Sequence, residues 1–169
     1  MYKKRLLELP PFSHLELPRT DLKAVLWNGG YPTPALHLLT RQPSAAAALA
    51  GPLAGAMLEG WIVSEAAKAF MAHGRKPEIY FWRSHDGLEV DLLLVLHGRL
   101  YPVEAKLTAT PGAGHAEALV RFIRAAGGES AETVLIVCRA RQARTLPGGH
   151  IALPWSAFPR WLEAHLGAG

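Results

Sequence analysis

Between residues 53 and 72 apolar side chains recur at steps of three and four: Leu53, Met57, Trp61, Ile62, Val63, Ala66 and Phe70. That spacing predicts one helix over Leu53–Ala72, ended by His73-Gly74. The period then changes to two. Ile79–Ser84 reads as an aromatic-rich strand, His85-Asp86-Gly87 as a tight turn, Leu88–Leu96 as a long strand, His97-Gly98 as a second turn and Arg99–Thr108 as a third strand. Pro111-Gly112 and Gly114 mark a loop. Ala116, Leu119, Val120 and Ile123 share one helical face, which stops at Gly127-Gly128. Thr133–Arg139 and His150–Leu153 read as further strands, and Pro154–Leu166 as a closing helix. The predicted order is α-β-β-β-α-β-β-α, a mixed α/β sandwich.

The first fifty residues pattern differently. Pro interrupts them repeatedly. Thr20 or Asp21 suits the cap of a short helix over Leu22–Trp27, and Pro34 opens another over Ala35–Arg41. Ser44 caps an Ala-rich stretch to Ala50, and Gly51-Pro52 breaks the chain. The expected organisation is an arm of short helices over 1–50 and one folded domain over 51–169.

Composition narrows the class. Of 169 residues, 50% are hydrophobic and 19% charged, too apolar for a disordered chain and long enough for a core without staples. The single cysteine, Cys138, excludes an intrachain disulfide and a cysteine zinc site, and favours a reducing, cytoplasmic setting. No apolar run reaches the roughly 18 residues of a membrane span. The net charge of +4 permits a polyanionic partner without requiring one.

The acids are more telling. Only Asp21, Asp86 and Asp91 are aspartates. Asp21 suits a cap and Asp86 a turn. Asp91 lies inside Val90-Asp91-Leu92-Leu93-Leu94-Val95-Leu96, where a poor strand former with a carboxylate needs a reason. If His97-Gly98 are the central residues of a hairpin, Leu96 faces Arg99, Asp91 faces Glu104, and Glu89 faces Lys106. That register predicts Asp91, Glu104, Lys106 and Glu89 on one face of two strands. Opposed carboxylates repel, and a divalent cation turns the repulsion into shared coordination. A solvated sheet face with a Glu89–Lys106 pair is the plain alternative.

Asp91, followed after twelve residues by Glu104-Ala105-Lys106, resembles the PD-(D/E)xK nuclease signature. Glu59, among apolar neighbours in Met57-Leu58-Glu59-Gly60-Trp61, stands where that superfamily often carries a helix-borne Glu. The longer segments Leu58–Glu65, Ile79–Arg83, Asp86–Leu92, Val103–Lys106 and Leu146–Phe158 are similar to domain-of-unknown-function family 4143, the C-terminal domain of a group of prokaryotic AAA+ type ATPases. The resemblance implies a restriction-endonuclease-like α-β-β-β-α-β core, a mixed sheet flanked by helices. It implies Asp91, Glu104 and Glu59 as ligands of Mg²⁺ or Mn²⁺, with Lys106 as the fourth catalytic residue, in phosphodiester hydrolysis on DNA or RNA. Leu6–Ser13 and Leu26–Pro32 resemble the end of the ATPase module. No G-x-x-x-x-G-K-[ST] loop accompanies them, so neither a nucleotide cofactor nor ATPase activity is expected, and a shortened descendant of such a protein is.

A second reading keeps the fold without catalysis: an inactive module that binds nucleic acid, a partner ATPase or a second copy of itself. Other signals point to less. Eight histidines include no H-x₃-H pair, and no hydrolase elbow surrounds Ser64 or Ser156. His115 is a candidate neighbour of the carboxylates. Arg139, Arg141 and Arg144 read as a solvated loop first and as phosphate contacts second. Trp61, Tyr80 and Trp82 read as packing residues before stacking platforms.

Overall fold

The computed structural model describes residues 44–85 and 87–167. The expected helices at 22–27 and 35–41, the Asp21 cap and Asp86 lie outside them. Six strands form one mixed sheet flanked by helices, the α/β class the pattern predicts with one strand more than its five.

Ser44 caps α1 (Ala45–Ala50), its Oγ accepting from the Ala47 amide at 3.1 Å. Ala48 of this helix is buried in the same core as α2 (Ala54–Ala72). His73 caps α2, and Gly74 leaves it at φ +66°, the left-handed turn that glycine makes without strain. The helix is apolar on most sides and is correspondingly buried along Leu58, Ile62, Ala66 and Phe70. It also buries two charges, Glu65 and Lys68, paired at 2.7 Å.

Strands β1 (Ile79–Arg83), β2 (Glu89–Leu96) and β3 (Arg99–Lys106) make an antiparallel meander. Between β2 and β3, His97 and Gly98 have φ +52° and +72°. Two successive positive φ values define the tight primed turn that matches strand twist. The predicted register therefore holds, from Leu96↔Arg99 to Leu92↔Val103. The third strand ends at Lys106, two residues before the expected Thr108.

Next come α3 (Glu117–Ala126), β4 (Leu135–Cys138), β5 (Arg144–Thr145), β6 (Ile151–Pro154) and α4 (Phe158–Leu166). The sheet order is β1-β2-β3-β4-β6-β5, with β3, β4 and β6 parallel. The short edge strand β5 occupies part of the segment expected to be a basic loop. Its two residues are too few for any alternation to register, and both are exposed.

The sheet separates two cores. Helices α2 and α4 cover one face, over Leu92, Leu94, Leu96, Val103, Ala105 and Val137. Helix α3 covers the other, over Val90, Leu93, Ile136, Cys138 and Ala152. Val90 and Leu93 share a face although they are three residues apart, which an unbroken strand forbids. The ladder explains it. Tyr80 faces Leu93 and Trp82 faces Val90, so Phe81 alone spans Asp91 and Leu92. This is a β-bulge on β2, one residue opposite two. No helix among the described residues is long and apolar enough to cross a membrane.

Candidate active site

The ladder between β2 and β3 stops at Leu92↔Val103. Beyond that point β2 runs on with β1 alone, to Arg83↔Glu89, and β3 runs on with β4 alone, to Lys106↔Cys138. The sheet is forked there. Asp91 is the first residue past the fork on one prong and Glu104 the first on the other. The bulge contributes the rest: it turns Asp91 to the same side as Leu92. Both line a small cleft with Glu59, Ile62 and Val63 of α2 and with Val103 and Ala105 of β3.

The fork gathers all four candidate side chains into one electrostatic group. Burial raises the Glu59 carboxyl above its ordinary 4.5, and the Asp91 charge adds to the rise while Lys106 opposes it. Glu104 is 8% exposed, and burial raises its carboxyl too. Its hydrogen bond from Lys106 and the Lys106 charge pull it down, and Asp91 and Glu59 push it up. Burial works to lower the Lys106 pKa, but the bond to Glu104 and the charges of Glu104, Asp91 and Glu59 outweigh it, leaving it above 10.5. Lys106 Nζ forms an ion pair with Glu104 Oε1. Two residues apart on a strand, they share a face, that of their β4 neighbours Ile136 and Cys138 on the α3 side. Asp91, expected on the same face, is turned by the bulge into the cleft on the α2 side with Glu59, so the two pairs meet only across the fork.

Glu89 is not part of this group. The expected Glu89–Lys106 pair does not form, because the fork separates β2 from β3 before that level. Glu89 instead faces Arg83 on β1 and pairs with it at 2.9 Å. His115 also stays local, its Nδ1 accepting from the Gly112 amide at 3.1 Å. Trp61 is buried and meets Trp155 edge-on, and Trp82 meets Phe122 in the same way, so both pack as expected. Tyr80 is 54% exposed and Phe81 61%. The sequence drew no attention to Phe81. Hydropathy assigns an aromatic in a strand to the core, and only the order of strands reveals that β1 ends the described sheet.

Chemically, the fork offers hard oxygen donors and one ammonium. Asp91, Glu104 and Glu59 are the groups able to take a divalent cation. Among the described residues, no three Asp, Glu, His or Cys side chains converge into a ready-made metal cage. Mg²⁺ asks for less, since it commonly takes one or two carboxylates and keeps water or phosphate oxygens elsewhere. The donor set fits that demand. Two of its carboxylates are raised by burial and by neighbouring negative charge, so a cation there would relieve an existing repulsion.

No curated protein and no solved structure matches the chain. A family model described as "Domain of unknown function (DUF4143)" matches residues 54–158, which span α2 to the start of α4 and include all four side chains of the fork. That match takes in more than half of the chain, and the protein belongs to the DUF4143 family.

Proposed function

We propose that the fork is the active site of a metal-dependent, nuclease-like domain that hydrolyses phosphodiester bonds in DNA or RNA. The fold reading that goes with it is a restriction-endonuclease-like core, with a cytoplasmic setting and a nucleic-acid partner. One observation carries the proposal: where two sheet prongs part, the Glu59 and Glu104 carboxyls are raised by burial and by the Asp91 charge, with Lys106 opposing the rise in both. A solvated sheet face would hold its carboxyls near their ordinary values rather than above them.

Asp91 and Glu104 would hold Mg²⁺ or Mn²⁺, with Glu59 assisting directly or through water. Such an ion supplies Lewis-acid polarisation of a phosphoryl oxygen and a more acidic water. The chain's own contribution is mainly electrostatic. Lys106 keeps its proton at neutral pH, because its pKa lies above 10.5. It donates hydrogen bonds, and can orient an attacking water or offset charge that grows on the phosphate. Without substrate it spends that capacity on Glu104. The buried apolar neighbours Ile62, Leu92 and Val103 lower the local dielectric beside Glu59 and Asp91, which strengthens the interactions of those two groups.

The test is cleavage of labelled single-stranded and duplex DNA and RNA by the full chain with Mg²⁺ or Mn²⁺. Asp91→Ala should reduce metal-dependent cleavage by about a hundredfold or more. Cleavage that is unchanged in this variant would remove the assignment. The Glu104–Lys106 pair favours one other reading, because it already neutralises a ligand: an inactive module that binds nucleic acid or protein. A calorimetric Mg²⁺ titration without heat, together with no cleavage, would select it.

A further inference from the structure

Phe81 is the single residue that faces the Asp91–Leu92 bulge, and it is the most exposed large apolar side chain among the described residues, at 61%. Its neighbours Tyr80 and Trp82 face Leu93 and Val90, on the α3 side of the sheet. Alternation therefore turns Phe81 to the other side, with Ile79, Leu92 and the cleft that Asp91 lines. Val63 of that cleft is also exposed, at 39%. Adjacent strands lie about 4.8 Å apart. Phe81 thus stands one strand spacing from Asp91, within the span of a single nucleotide.

The opposite prong carries charge. Past Lys106, the Arg139 amide donates to the Thr108 carbonyl at 2.9 Å and continues the β3–β4 side of the fork. Arg139 and Arg141 are exposed there, and the Arg144 guanidinium donates to the Pro111 carbonyl at 2.7 Å, tying this segment to the loop after β3. One prong offers an aromatic surface and the other offers cations, with the carboxylates between them.

We propose that this fork takes a single strand of nucleic acid: an unpaired base stacks on Phe81, its phosphate lies at the mouth of the fork beside Asp91, and an adjoining phosphate meets Arg139. The inference rests on the phosphodiester reading above and narrows it to an unpaired substrate. A base inside a duplex is stacked on both faces and has none to give to Phe81. An exposed aromatic beside a polyanion site is the means by which proteins hold single strands without reading sequence.

The experiment is fluorescence anisotropy with the full chain in CaCl₂, whose divalent cation can stand between phosphate and carboxylate, using a fluorescein-labelled twelve-nucleotide oligo-dT and a duplex of the same length. Single-strand affinity should exceed duplex affinity. Phe81→Ala should weaken the single strand by roughly tenfold or more and leave the duplex unchanged, whereas Phe81→Trp should restore it. Arg139→Gln should lower the salt dependence of single-strand binding. Circular dichroism checks that each variant folds. Equal affinity of Phe81→Ala and the parent for oligo-dT would overturn the inference. So would a parent dimer that Phe81→Ala converts to monomer in sedimentation, since β1 would then be covered by a second copy. Cleavage assays on the same preparations separate the two claims. Phe81-dependent binding without metal-dependent cleavage keeps the stacking surface and loses the nuclease. Cleavage with no single-strand preference keeps the nuclease and loses the stacking surface.

Discussion

Lys106 is the cation on which the buried Glu104 depends. Both influences that lower the Glu104 pKa come from it, while burial, Asp91 and Glu59 all raise it. A carboxyl with a raised pKa binds its proton more tightly in the native state than in the unfolded one. Its favourable contribution is fully present below about 4.5 and is lost as pH rises through the folded value. Lys106→Met should move that folded value further up. The variant should lose about 1 kcal/mol at pH 7.5, a modest figure because 39% of the Lys106 side chain meets solvent. The loss should shrink markedly at pH 4, where Glu104 is largely protonated in both states. Urea unfolding at the two pH values checks this. An equal loss at both would mean that the Lys106 stem matters and its charge does not. Among the carboxylates, Asp91 was legible in the sequence because aspartate has no business in a strand of leucines. Glu59 was legible through its apolar neighbours. Phe81 was not, since nothing in its own composition distinguishes a buried aromatic from an exposed one.

Two glycines make opposite demands on the elements that hold them. Gly98 sits at φ +72° in the turn that sets the β2–β3 register, and a Cβ there would meet nothing within 4 Å. Any cost of Gly98→Ala is therefore backbone strain alone, about 1 kcal/mol or slightly more. Gly60 lies within α2, beside Glu59, where a Cβ would likewise meet nothing within 4 Å and the backbone is ordinary helix. Gly60→Ala should stabilise the protein by roughly 0.5–1 kcal/mol by restricting the unfolded chain. Thermal melts of the two variants should move in opposite directions. The contrast shows why the hairpin was readable and the bulge was not. His97-Gly98 carries its turn chemistry in two adjacent residues, so pairing follows by counting. The bulge exists because β1 is one residue short against β2, and that mismatch is a relation between strands. Counting from the turn alone sent Glu89 to Lys106, whereas the fork sends it to Arg83.

The molecule carries a net charge of +4, so its overall field repels cations, and any Mg²⁺ it holds must be held by local structure. On the proposed reading the fork supplies that structure, because Glu59, Asp91 and Glu104 lie within range of one another's charge there. With no cation bound these like charges repel one another; a bound cation would be anchored by the same charges. Asp91→Asn should therefore have two effects of opposite sign. In EDTA it should melt slightly above the parent, because it removes one repelling charge from Glu59 and Glu104. In about 10 mM MgCl₂ the parent should gain about 1.4 kcal/mol if the dissociation constant is near 1 mM, since the native state alone binds. That gain corresponds to a rise of about 3–6 °C in Tm. The variant should gain little, so the order of the two melting temperatures should narrow or reverse between the two buffers. NaCl matched for ionic strength should leave the order unchanged, because screening weakens repulsion in the parent without a ligand-specific term. Equal Mg²⁺ responses in parent and variant would place the cation elsewhere on the surface and would leave the fork without its metal.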